Sequence, residues 1–293
     1  MYWISVLMIV SFFLGAQSSF AAESATPNML LRDKYKELSK QLKNNQFKRP
    51  LHMSSMESSD NLKGEIFAVV SYPFATVNKA LTNPENWCDL LILHINVKYC
   101  HAANKQEKTI LSVYIGKKDE QPLADVHQVE FNYQEINSTP NHFAIELNAE
   151  KGPLSTSDYR ILVEAIPIKG GLTFLHFTYA YKFGLRGNLA MQGYLATIGR
   201  NKIGFTIIDK SVDRKPEYIK GVRGVIERNT MRYYLAIDAY LAEINTPEQD
   251  ILEQRLLRWY NSTDQYATQL QEVQKEDYLA MKRKEYKRQQ VAQ

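Results

Sequence analysis

The sequence predicts an α+β protein in which one antiparallel sheet of seven strands is followed by a long helix. Three observations carry that expectation. Seven runs rich in β-branched and aromatic residues lie between residues 64 and 183, separated by turn-forming residues. From Glu217 to Ile244 the apolar positions change to helical spacing. The 293 residues are 44% hydrophobic and 23% charged, a composition that folds, and the chain is long enough to bury a core without a set of disulfides.

Met1 to Ala22 carries no charged side chain, and Ile4 to Leu14 is apolar except for Ser5 and Ser11. This run is shorter than the roughly 20 residues a spanning helix needs, and Ser19 and Ala21 suit signal-peptidase cleavage. Residues 1–21 therefore read as a signal peptide cleaved after Ala21, giving a secreted or periplasmic protein. An uncleaved anchor is the alternative, because no Lys or Arg precedes the run. Export gives Cys88 and Cys100, the only cysteines, the reading of a structural disulfide rather than two buried thiols. Closing so short a loop is worth about 3 kcal/mol in the chain-entropy model.

The remaining elements follow in order. Asn28 to Phe47 places Leu30, Leu31, Tyr35, Leu38 and Leu42 at helical spacing among charges, an amphipathic helix. Lys48 to Asn61, with Pro50 and four serines and no periodicity, reads as a linker. Gly64 to Tyr72 is the first strand, stopped by Pro73, which has no amide proton for a ladder. Phe74 to Leu81 and Pro84 to Leu91 are two short helices, broken where Asn83 caps and Pro84 takes the first helical position. Six strands come next: His94 to His101, Lys108 to Gly116, Asp125 to Glu135, His142 to Glu150, Asp158 to Ile168 and Leu172 to Phe183. Their short links make neighbours antiparallel.

Gly184 to Asp209 separates the last strand from the long helix. Its small residues Gly187, Ala190, Gly193, Ala196 and Gly199 let another surface come close, as a lid or by packing on the sheet. After Glu217 to Ile244, Thr246-Pro247-Glu248 restarts a helix through Leu252, Leu256 and Trp259. From Gln271 onward Lys282, Arg283, Lys284, Lys287 and Arg288 crowd together, which reads as a solvated helix. With Tyr278 and Tyr286 beside them, the alternative is peripheral contact with anionic lipid.

This order of elements resembles the helix-grip architecture of the START and Bet v 1-like (SRPBCC) superfamily. The matching stretches are Gly64 to Phe74, Phe74 to Trp87 and Glu217 to Ile244, over about residues 62–245. The resemblance implies a curved sheet gripping the long helix and enclosing an apolar cavity, and it brings no universal catalytic signature. The organisation is then a signal peptide (1–21), an N-terminal helix and linker (22–61), a START-like domain (62–245) and a C-terminal helical extension (246–293). The segment from Gly184 to Asp209 is an insertion that a minimal grip does not need.

No residue pattern adds a catalytic reading. The G-x-S-x-G and S-x-x-K patterns of serine hydrolases are absent, as are H-E-x-x-H and G-x-G-x-x-G, and the six histidines are scattered. No metal and no cofactor is expected. A net charge of +4, from 36 basic and 32 acidic residues, is too dilute to imply nucleic acid.

The expected ligand site is the concave strand face: His127, Phe131 and Tyr133 from one strand, Val163 from another, and Phe177, Tyr179 and Tyr181 from the last. That face suits an apolar ligand with a polar handle, so the leading expectation is an exported carrier of a lipid or isoprenoid-like molecule. Two alternatives stand beside it. One is an enzyme on the same fold, using His127, Tyr179 or Glu130 as acid or base. The other is an interaction protein with a packed core that docks a partner through its helical extensions. Arg160 and Glu164 share a strand face, where surface pairing is the expectation and a cavity-mouth position the alternative; an entrance role for Asp89 or Lys98 is the lesser alternative. The oligomeric state is left open.

Overall fold

Seven of the eight strands in the main sheet fall where the sequence places them, and the eighth comes from the segment read as a linker. The structure is a computed structural model that describes residues 26–184, 192–193, 196–197, 199–209 and 216–291. The leader expectation at residues 1–21 lies outside the described residues, as do Gly187 and Ala190 of the small-residue stripe.

Strand β1 (Leu51–Glu57) pairs antiparallel with β2 (Asn61–Val70), Leu51 opposite Ala68 and Glu57 opposite Leu62. The linker reading of Lys48 to Asn61 is thus corrected. Only Leu51 and Met53 are buried in β1, while Ser54 and Ser55 are half-buried, so the alternation was too short to register. Helices α1 (Pro27–Glu37) and α2 (Ser39–Lys43) precede it.

After β2 the chain passes through α3 (Phe74–Leu81) and α4 (Asn86–Leu91) to the opposite edge of the sheet. From there it returns as a meander: β3 (Val97–Lys105), β4 (Lys108–Ile115), β5 (His127–Thr139), β6 (His142–Lys151), β7 (Thr156–Ile168) and β8 (Leu172–Phe183). The order is β1-β2-β8-β7-β6-β5-β4-β3, antiparallel throughout. Register shifts within β3, β5 and β7 bend the strands, as bulges do.

The long helix α5 (Gly221–Ala242) packs on β1, β2 and β8. Gly64 in β2 makes the approach possible, since a Cβ there would collide with the hydroxyl of Thr230. This is the helix-grip arrangement, with one strand more than expected. Glu217 and Tyr218, read as helix, instead form β10 (Glu217–Tyr218) against β9 (Ile207–Asp209). On the other face of the sheet lie α1 and α2, where Leu31, Leu42 and the intervening Leu38 pack on Phe67, Ile166 and Phe174.

The C-terminal extension comprises α6 (Glu248–Asp264), α7 (Ala267–Leu270) and α8 (Lys275–Val291). The solvated-tail reading is corrected here, because α8 lies on the edge strand β3 and buries Tyr278, Lys282, Glu285 and Gln289. Lys282 donates to the carbonyls of His94 (2.8 Å) and Val97 (2.6 Å) and to Glu285 (2.7 Å). An edge strand carries unpaired backbone groups, and α8 covers them with side chains able to pair. Arg283 and Lys284 keep to the exposed side, paired with Glu253 and Glu120. The Cys88–Cys100 disulfide is formed and ties α4 to β3, with Cα atoms 5.1 Å apart.

Candidate functional site

A cavity of about 350 Å³ opens between the concave face of the sheet and the N-terminal half of α5. Alternation along β8 brings Tyr179 and Tyr181 to it, and β7 adds Tyr159. On α5 the spacing of Val225, Arg228, Asn229, Arg232 and Tyr233 places them along one helical face. The loop after α4 supplies His94 and Asn96, the end of β4 supplies Ile115, and Lys118 follows it. The turn from Pro153 to Thr156 completes the lining, with the exposed Leu154 held at φ 55°.

The aromatic part of the lining is a set of four tyrosines, Tyr159, Tyr179, Tyr181 and Tyr233. Tyr159 and Tyr181 stack with ring centres 5.2 Å apart, and Tyr179 lies 5.0 Å from Tyr233. Gly152 is required for this, because a Cβ there would strike the Tyr159 ring. Burial pushes the phenol of Tyr159 up to about 12 and holds that of Tyr179 well above its ordinary value, so both stay protonated at neutral pH.

The polar part is cationic. Arg228 and Arg232 are both 2% exposed. Arg232 pairs with Glu272 at 2.8 Å, and Lys118 reaches the same carboxylate at 2.7 Å. Lys202 also pairs with it, so three cations share one carboxylate. Burial raises the Glu272 carboxyl, but Arg232 and Lys118 outweigh that and hold it at about 2. Burial and the neighbouring Arg232 lower the Lys118 ammonium to about 8. Arg228 donates to the carbonyl of Ile203 at 3.1 Å and pairs with no carboxylate among the described residues. His94 is buried and stacks on Tyr233 at 4.3 Å. Its Nδ1 accepts from the Asn96 amide at 3.2 Å, while its Nε2 has no hydrogen-bond partner among the described residues. Burial, with Arg232 and Lys282 next in effect, keeps this imidazole neutral.

Of the residues expected at the site, Tyr179 and Tyr181 line the cavity. Phe131, Val163 and Phe177 do face the interior but are packed in the core rather than on the cavity wall. Tyr133 is half-buried, and its hydroxyl donates to the carbonyl of Thr82 at 2.7 Å. His127 is exposed at the first position of β5, beyond the buried positions of that strand, and its placement at the site is corrected. Strand parity assigned faces correctly where it reached the core, yet it has no means of locating empty space along the face.

The sequence reading missed His94, Lys118, Arg228, Arg232 and Tyr233. A signal was present: Arg228 and Arg232 fall four residues apart, on one face of the predicted helix. The other ionic expectations change partners. Arg160 pairs with Glu146 at 2.6 Å rather than with Glu164. Glu164 joins His176 (2.7 Å) on the opposite face of the sheet, where His176 also meets Glu65 at 3.0 Å. Asp89 pairs with Arg255 at 3.3 Å, and Lys98 is fully buried beside Glu285, so neither lines the entrance. Among the described residues no group of three or more His, Cys, Asp or Glu side chains is placed to hold a metal ion. Among them, too, no helix is long and apolar enough to cross a membrane.

No family model matches the sequence, and no curated protein does. Solved structures are similar in shape. One is a protein from Thermus thermophilus, 12% identical over 64% of this chain and 99% of that one, with a TM-score of 0.40. Human StAR-related lipid transfer protein 5 is 7% identical over 74% of this chain and 98% of its own, with a TM-score of 0.37. Norcoclaurine synthase from Thalictrum flavum is 11% identical over 49% and 77%, with a TM-score of 0.31. The fold assignment itself rests on the strand order and on α5 lying across the sheet.

Proposed function

We propose that this protein binds and carries a small apolar molecule in the cavity between the sheet and α5, leaving it chemically unchanged. The observation that carries the reading is the tyrosine-lined space of about 350 Å³. That volume is near the lower end of about 300–1,000 Å³ usual for small-molecule sites, which favours one acyl chain or a small ring system over a two-chain lipid. Affinity would come from burying ligand surface at about 25 cal/mol per Å², less the entropy of capture. We place the protein outside the cytoplasm, after loss of residues 1–21. The uncharged apolar start of the sequence and the disulfide support that placement.

The acid–base set suggested for an enzyme does not assemble. His127 and Glu130 are exposed on β5 and neither lines the cavity, while the Tyr179 proton is held too firmly for transfer near neutral pH. The interaction reading weakens because α8 spends much of its surface on β3 of its own chain.

Native mass spectrometry of the gently purified protein tests the carrier reading. A co-purifying mass lost on denaturation, or uptake of one small apolar molecule per chain from a total lipid extract, is expected. A clean apo mass that takes up nothing from the extract would overturn it.

A further inference from the structure

Resting on the carrier reading, we infer that the cavity selects an apolar acid, a small ligand whose ionised carboxylate is held by Arg228, Arg232 and Lys118 with the Nε2 proton of His94. The acidic count of the lining is decisive. Among the described residues it contains three cationic side chains and no Asp or Glu, and Glu272, close behind it, is already shared by Arg232, Lys118 and Lys202. Three cations on one carboxylate, with Arg228 in the same wall and paired with no carboxylate among the described residues, leave an excess positive charge beside a largely apolar space. A buried excess of this kind is costly unless an anion completes it.

His94 is the second and independent observation. Because its Nδ1 accepts from the Asn96 amide, the neutral ring carries its proton on Nε2. That donor is buried, lacks a partner and belongs to a residue of the cavity wall. A buried N–H without an acceptor is rare. Arg228 repeats the pattern, with five N–H donors and a single carbonyl from Ile203 as its hydrogen-bond partner among the described residues. Its planar fork matches a carboxylate. The tyrosines Tyr159, Tyr179 and Tyr181 then take the apolar body.

The test is isothermal titration of the full chain, stripped of bound material, with decanoate, 1-decanol, methyl decanoate and decyl phosphate. Decanoate is expected to bind at least about tenfold tighter than 1-decanol or methyl decanoate, in keeping with a charged hydrogen bond. Arg228→Gln is expected to bring the decanoate-to-decanol ratio down about tenfold. The partly exposed Lys118→Met serves the same purpose should Arg228→Gln fail to fold. In NMR, decanoate and not decanol is expected to shift the Nε2 resonance of His94. Equal binding of decanoate and decanol would overturn the inference and leave the carrier reading standing. Tighter binding of decyl phosphate than of decanoate would overturn the carboxylate assignment in favour of a phosphate head. Binding of none of the four, in a protein that also takes up nothing from a lipid extract, would remove the carrier reading itself.

Discussion

Two groups of buried cations sit close together in this protein and are handled in opposite ways. Under α8, Lys282 donates to two carbonyls and to Glu285, and Lys98 lies 3.0 Å from the same carboxylate and 3.2 Å from the carbonyl of Ile95. Beside the cavity, among the described residues, Arg228 has one carbonyl, His94 has an idle Nε2, and Glu272 is divided among three cations. Even His94 belongs to both groups, since its carbonyl serves Lys282 while its ring faces the cavity wall. The closed group binds the C-terminal helix to an edge strand. Its neighbour keeps unmet hydrogen-bonding capacity at the rim of an empty space. Burial of charge alone therefore does not mark a site; unmet hydrogen-bonding capacity beside a cavity does.

The contrast can be broken by mutation. Removing the shared carboxylate of the closed group, Glu285→Ala, strands two buried ammonium groups and is expected to cost about 3–5 kcal/mol in urea unfolding. A loss below about 1 kcal/mol would show that this group is not closed. The disulfide supports the same strand, with the Cys100 amide donating to Gln289 of α8 at 3.1 Å. The double variant Cys88→Ser with Cys100→Ser is expected to lose about 2–4 kcal/mol.

Acid sharpens the comparison on the cavity side. The Glu272 carboxyl is held at about 2 in the folded chain, against about 4.3 unfolded. A depressed folded value means that its stabilisation is complete above the unfolded value and is lost as pH falls through about 2. About 3 kcal/mol is expected to disappear over that window, and Glu272→Gln is expected to flatten that part of the stability–pH curve. On the far face, His176 has a raised pKa, burial lowering it but Glu164 and Glu65 more than compensating. Its contribution runs the other way, present below about 6.5 and lost as pH rises through its folded value.

The smallest effects on stability belong to the cavity itself. Arg228→Leu is expected to change unfolding free energy by less than about 1 kcal/mol, or to stabilise, because a poorly paired buried charge contributes little. Val225→Phe, which fills the space, is expected to stay within about 1 kcal/mol by thermal melting while lowering ligand uptake at least tenfold. If Val225→Phe bound ligand as tightly as the parent chain, the cavity would not be where the ligand sits.

Much of the architecture was legible along the chain, because strand alternation, Pro73 as a stop and Pro84 at a helix start are local signals. The β8 boundaries, Leu172–Phe183, are as read from the turn residues on either side. The β1 strand was not legible, since its period of two survives at only Leu51 and Met53 and its other support is tertiary, from pairing with β2 and packing under α5. Of the candidate site, Tyr179 and Tyr181 were legible from parity, whereas His94 and Lys118 come from two loops and Arg228 from a helix, which meet only in the fold.

By itself the sequence determined which residues alternate, where strands turn, and that a long helix follows them, for these depend on neighbours a few positions away. Tertiary structure decided which charges are buried. Lys282 and Lys284 lie two positions apart on α8, yet one is fully buried against β3 and the other pairs with Glu120 in solvent. Successive positions of a helix point about 100° apart, so that outcome waits on the surface the helix meets. The same holds for the cavity: its walls are written in the strands and in α5, but the space between them exists only once both are packed.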